Sequence, residues 1–181
     1  MTRAIQDCYP AQYAHCYGCG HENKAGYRLK SFLRGDVTEA RHTPGIQYSG
    51  GVLGHVYGGM IASLMDCHGM ASAAAFMYRE RGGNIENEID PARYVTASLK
   101  VDFKRPTPQG VELLVRGELL SVEGRKVRIA LSLLAGGEVC ATGEILAIEL
   151  RSAGGAQTRA QEAQGRSLLR GSGQQLLAGL I

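Results

Sequence analysis

The chain is 181 residues long, 44% hydrophobic and 20% charged, which fits one globular domain and excludes collagen-like, coiled-coil and fully disordered chains. A body of about 150 residues buries roughly 70% of its unfolded surface, so it requires no disulfide or metal for stability. The net charge of +3 is local: residues 151–181 hold four Arg and one Glu, leaving 16 basic against 16 acidic side chains in residues 1–150. A neutral body lacks the basic footprint of a nucleic-acid-binding domain.

In chain order, residues 1–26 read as an irregular lead-in around Cys16-Tyr17-Gly18-Cys19-Gly20. Residues 1–9 contain no apolar run of signal-peptide length. The five cysteines (Cys8, Cys16, Cys19, Cys67 and Cys140) are odd in number and lack framework spacing. They read as reduced thiols of a cytoplasmic protein. Cys16-x-x-Cys19, with His15 and His21 beside it, supplies half of a zinc knuckle. A closed site needs four ligands and no second Cys-x-x-Cys follows, so no metal is expected.

Two short strands are expected within residues 27–42, split by the turn signature Arg34-Gly35-Asp36. A loop rich in Gly and Tyr follows over 43–54. A helix then opens at Gly58-Gly59 and runs to about Tyr78, with apolar or small residues on nearly every side. Its length would cross a bilayer, but Asp66 and His68 near the middle and its Gly, Ala and Ser content exclude a membrane span. A helix without a polar face must be surrounded by other structure.

After a charged loop, Val95, Ala97, Leu99, Val101 and Phe103 alternate with polar residues, a period-2 strand with one apolar face. On that reading the Thr96 hydroxyl points away from the apolar set. Pro106 and Pro108 end the strand. Three more strands are expected over 111–121, 126–135 and 139–150, linked at Glu123-Gly124 and Gly136-Gly137. Residues 151–181, rich in Gly, Gln, Ala, Ser and Arg, read as a flexible tail. Residues 27–150 therefore define an α+β domain, a strongly curved antiparallel sheet wrapped around one long central helix. Its free edge strand invites pairing with a second copy.

Asp66 is the anomaly of that helix. A carboxylate amid apolar residues costs several kcal/mol of desolvation unless it is paired or functional. Such a group can activate water as a general base or attack a carbonyl directly. Gly58 and Gly59 let the backbone approach a ligand closely, and free N–H groups at a helix start suit an oxyanion. At ~1.5 Å per residue, Gly58 and Asp66 stand about 12 Å apart, too far to share one carbonyl within one chain. His68 lies roughly 200° around the helix from Asp66 and reads as a packed histidine. Tyr48 and Tyr57 are candidates for a pocket mouth, and Lys104, Arg105, Arg125, Lys126 and Arg128 for phosphate binding or solvated strand ends.

Gly58-Gly59 followed by Asp66 on a central helix, and the Val95-Thr96-Ala97 strand closing at Arg105-Pro106, resemble the PaaI-like hotdog-fold acyl-CoA thioesterases. The segment Cys16-Tyr17-Gly18-Cys19-Gly20 with Asn23 and Gly26 is similar to a Cys-aromatic-x-Cys-Gly-x-x-Asn-Pro-x-Gly segment of that group, with Lys24 in place of Pro. Two departures stand out. Tyr57 replaces the usual His before Gly-Gly, with His55 two residues earlier, and Gly51 stands where several members place Asn.

The resemblance covers residues 14–150 and implies thioester hydrolysis. Asp66 would serve as base or nucleophile, Gly58 would donate its N–H from the partner subunit, and Thr96 would hold the water. Gly59, Tyr57, His55, Arg105 and Arg125 would surround the substrate. No metal or cofactor is implied, coenzyme A being part of the substrate, and neither nucleic acid nor membrane is a partner. The assembly would be a homodimer or a dimer of dimers. Two other readings remain at this point: a non-catalytic acyl-CoA-binding or regulatory domain, and a hotdog hydratase or dehydratase in which His55 would partner the acid.

Overall fold

The amphipathic alternation of the second half of the chain becomes four long strands that curl around the apolar helix. The computed structural model describes residues 3–87 and 92–150; the expected tail at 151–181 lies outside the described residues. Strands β1 (Ser31–Arg34) and β2 (Val37–His42) precede helix α1 (Gly58–Glu80). Strands β3 (Tyr94–Phe103), β4 (Leu113–Glu123), β5 (Lys126–Ala135) and β6 (Glu138–Glu149) follow it. All six form one antiparallel sheet in the order β1-β2-β4-β5-β6-β3. This is the hotdog architecture that the sequence implies. The β5–β6 hairpin turns on Gly136 and Gly137, both in the left-handed region at φ +58 and +87, as a two-residue turn of the I′ kind requires.

The concave face presents Leu113, Val115, Val127, Ile129, Leu133, Ile145 and Ala147, none of them measurably exposed. Against them pack Leu64, Met65 and Phe76 of α1, equally buried. Gly69 marks a close approach between the two layers: a Cβ there would stand 2.6 Å from Ile145 Cγ2. Alanine would gain about 1 kcal/mol in helix propensity, yet the position stays glycine because the methyl has no room.

The sheet covers only one side of α1. On the other, Ala71, Ala74 and Ala75 are buried by Ile5, Cys8 and Ile85. The lead-in is thus not the irregular segment expected. It forms two 3-10 turns, Ile5–Cys8 and Ala11–Tyr13, and belongs to the same compact unit as the sheet. A helix apolar on every side needs this second cover, and turns of three or four residues are too short to show a period.

A buried polar chain stitches the lead-in to both layers. Gln6 donates from Nε2 to Ser31 Oγ at 2.9 Å and accepts from the Ser31 N–H at 2.7 Å. The His68 ring bridges Ser31 Oγ (2.9 Å) and Thr38 Oγ1 (3.2 Å), and Thr38 Oγ1 meets Ser72 Oγ at 2.6 Å. His68 is therefore packed, as its position on the helix implies. Burial pushes its pKa from 6.5 down to about 4, against the opposing Thr38 carbonyl. Among the described residues no helix is long and apolar enough to cross a membrane.

Candidate active site

Strand β3 departs from simple alternation. Thr96 pairs with Ala147 and Ser98 with Leu146, so Ala97 is an extra residue opposite none. Directly paired residues of an antiparallel ladder share a face, and Ala147 and Ile145 face the helix as part of the core. Tyr94 and Thr96 therefore point inward before the bulge, and Leu99 and Val101 after it. The expectation that Thr96 points away from the apolar set is corrected: the bulge reverses the phase, leaving Val95 44% exposed and turning Thr96 toward α1.

That reversal brings Thr96 to Asp66. Thr96 Oγ1 donates to Asp66 Oδ1 at 2.6 Å, the length of a hydrogen bond to an ionised acceptor. Asp66 is half-buried and lines a cavity of about 190 Å³ together with Tyr9, Cys16, Cys19, Cys67, Arg93 and Tyr94. It is neither sealed in the core nor free on the surface. A carboxylate placed so keeps a hydroxyl on one oxygen and access to water, the combination a general base needs.

Gly58 and Gly59 occupy the first two positions of α1, where N–H groups have no acceptor within the helix. The Phe103 ring closes over Gly58, 3.2 Å from where a Cβ would stand, and the Tyr57 ring occupies the place of a Cβ at Gly59. Gly58 lines a cavity of about 480 Å³ with His55, Ile61, Phe103, Lys104 and Arg105. A neighbouring one of about 320 Å³ adds Gly50, Gly51 and Tyr57. Tyr57 N–H donates to the Tyr48 carbonyl at 2.9 Å. Tyr57 lines the second cavity, whereas the Tyr48 ring packs on Tyr27 and its hydroxyl meets that of Tyr17, so the expectation of Tyr48 at a pocket mouth is not met.

The candidate residues therefore fall into two groups on one chain. Gly58, Gly59, Tyr57, His55 and Arg105 gather at the start of α1, and Asp66, which Thr96 touches, lines a different cavity about 12 Å further along the helix axis. His55 does not meet Asp66; its Nδ1 lies 3.2 Å from the Leu53 carbonyl. Arg105 forms a surface ion pair with Glu138. Arg125 stands elsewhere, donating to the Glu149 carbonyl at 2.9 Å. Arg105 follows the β3 end that pairs at Ala141, and Glu149 is the other end of that ladder, about 25 Å away at strand rise. One chain does not bring Arg105 and Arg125 together.

Sequence reasoning missed Tyr9, Arg93 and Tyr94 as walls of the Asp66 cavity. Arg93 and Tyr94 immediately precede the candidate Thr96, a positional signal that was available. Tyr9 carried none, because its place depends on how the lead-in packs.

A family model for the thioesterase superfamily matches residues 53–141, the stretch from the loop before Gly58 to the start of β6. Among solved structures, a thioesterase superfamily protein from Shewanella loihica is 38% identical over 77% of this chain and 97% of its own, with a TM-score of 0.58. A thioesterase from Haemophilus influenzae is 12% identical, covering 69% of this chain and 80% of its own, TM-score 0.55. A phenylacetic acid degradation-related protein from Ralstonia eutropha is 18% identical, covering 67% and 85%, TM-score 0.55. The last two carry the fold alone. No curated protein matches the chain. At 38% identity over nearly the whole of the first relative, the chain belongs to the thioesterase superfamily.

Proposed function

We propose that the protein hydrolyses acyl-CoA thioesters to a free acid and coenzyme A, at a site shared between two subunits. The observation that carries the shared site is the separation on α1: Gly58 and Asp66 line different cavities of the same chain. Strand β3 supports it, since it is a sheet edge with Val95 and Phe103 exposed. Pairing with a second copy would remove that edge in the commonest closed symmetry, a two-fold dimer. The assembly is then a homodimer or a dimer of dimers.

In this reading the thioester oxygen lies against the Gly58 N–H of one subunit, and Asp66 of the other removes a proton from water. Thr96 holds Oδ1 by its hydroxyl and so fixes the carboxylate, leaving Oδ2 to take the proton. The water oxygen bonds to the thioester carbon, and the Gly58 N–H stabilises the oxyanion. Collapse breaks the carbon–sulfur bond and releases coenzyme A as the thiol after protonation. Arg105 and Lys104, beside Gly58, suit the phosphates of coenzyme A; an exposed ion pair such as Arg105–Glu138 is weak enough to exchange partners. Hydrolysis by this route draws on no further cofactor. The free state of all five cysteines supports a reducing, cytoplasmic setting.

The test mixes two inactive variants. Asp66→Asn and Gly58→Val subunits should each lose at least ~10²-fold in thiol release from acyl-CoA. Verified heterodimers should regain one intact site of two. No recovery in those heterodimers, or full activity in a verified monomer, defeats the shared site. A panel of acyl-CoA substrates that yields no free thiol defeats the hydrolysis.

A further inference from the structure

The sulfur atoms of Cys16, Cys19 and Cys67 all lie within 4.8 Å of one another, and Cys16 and Cys67 stand 3.7 Å apart across 51 residues of sequence. None is in a disulfide. In a tetrahedral thiolate site with metal–sulfur bonds of ~2.3 Å, neighbouring sulfurs are roughly 3.8 Å apart. The third ligand missing from the Cys-x-x-Cys motif is supplied by the helix.

The loop around these residues is shaped for the cluster. Cys16 Sγ accepts hydrogen bonds from the Gly18 and Cys19 backbone N–H groups, and Gly20 N–H donates to the Cys16 carbonyl at 2.8 Å. A Cβ at Gly18 would overlap Cys67 Sγ, and one at Gly20 would run into the Ala14 carbonyl. Both glycines are thus required for the loop to seat its sulfurs against α1. Arg93 lines the same cavity, and its buried Nη1 has no hydrogen-bond partner among the described residues. Three thiolates on a divalent cation carry one net negative charge, which that guanidinium offsets.

We propose that Cys16, Cys19 and Cys67 bind a thiophilic divalent cation of the zinc class, with the fourth position taken by water from the cavity that all three line. Asp66 lines that cavity but stands outside the ligand group. The cation clasps the lead-in to α1 one residue after Asp66, and its binding displaces thiol protons to solvent. Hydrogen bonds from the Cys19 and Cys67 thiols, with those backbone amides, push the Cys16 thiol down. Cys19 and Cys67 are raised, first by their bonds to Cys16. The site is independent of whether the protein hydrolyses thioesters.

The experiment uses the full chain purified with reductant and without chelator. Elemental analysis should find one zinc per chain. After chelation, titration with cobalt(II) should give sulfur-to-metal charge transfer and the strong visible bands of a tetrahedral site. Cys67→Ser and Cys16→Ser should weaken cobalt affinity at least ~10²-fold, beyond the loss expected from an outer-shell change. Cys140→Ser, with its sulfur elsewhere, should bind normally. The wild-type titration needs no variant to fold. A protein with three free thiols at the cluster and no cobalt spectrum overturns the proposal, as does a Cys16–Cys67 disulfide in reductant-purified protein or binding untouched by Cys67→Ser.

Discussion

Acid should weaken this fold through one histidine. His68 is wholly buried, and its hydrogen-bond partners Ser31 and Thr38 are hydroxyl-bearing residues without charge. Burial holds its pKa at about 4 in the folded chain, against 6.5 as the ordinary value. Above pH 6.5 the imidazole is neutral in both states and costs nothing. As pH falls below 6.5 the unfolded chain takes up a proton that the folded chain refuses, so stability drops until about pH 4. At ~1.36 kcal/mol per unit, the loss between pH 7 and pH 4 is about 3 kcal/mol, a large share of the 5–15 kcal/mol typical of a domain.

The assay is urea unfolding of wild type and His68→Gln across that range, at fixed protein concentration. Chelator and reductant stay present, so that metal linkage is absent from both proteins. Glutamine is neutral at every pH, so the wild-type unfolding free energy should fall about 3 kcal/mol further than the variant's. Carboxylate titrations are common to both and cancel. Parallel profiles would refute the reasoning, as would an NMR titration showing the folded imidazole protonated near pH 6.5.

Other consequences are as direct. Thr96→Val should lower kcat for thiol release about 10-fold or more while Thr96→Ser keeps most of it, because the hydroxyl donated to Asp66 is what matters; steady-state kinetics on the two variants decide. Arg105→Ala should raise KM for acyl-CoA and leave kcat near normal, the mark of lost uniform binding. Gly143→Ala should destabilise the fold by about 1–3 kcal/mol in urea titration, because its Cβ would stand 2.5 Å from the Lys100 carbonyl on β3.

The elements were legible because strand alternation and one long apolar run dominate the chain. The alternation in 126–135 gave β5 to the residue, and the run from Gly58 gave α1 to within two residues of its end. Asp66 stood out for the same reason, as a charge where the helix has no polar face. Thr96, singled out as a holder of water, stands in contact with that acid, and its direction was read backwards. One unpaired residue, Ala97, shifts the phase of β3, and no local preference announces it. The lead-in was illegible because turns of three or four residues have no period, although the helix's bare alanine side implied that something must cover it. The cysteine cluster was half legible. Cys16 and Cys19 announce each other by spacing, but Cys67 joins them only once the chain has folded.

The bulge at Ala97 also sets how this site tolerates change in its gene. Ala97 is exposed, so most codon replacements there should leave the folded chain intact. Loss of the codon should be absorbed as well. Without Ala97, Ser98 follows Thr96 directly, and with Leu99 and Val101 kept against the core, strict alternation turns Ser98 outward, Thr96 inward and Val95 outward, the directions that the bulge already gives them. The strand would still pair, and Asp66 would keep its hydroxyl partner. What would part them is a bulge flattened with Ala97 still in place, because strict alternation through Ala97 turns Thr96 outward. The extra residue is a surplus that this edge must bulge to hold, and the Thr96–Asp66 pair depends on the bulge only while the surplus is there.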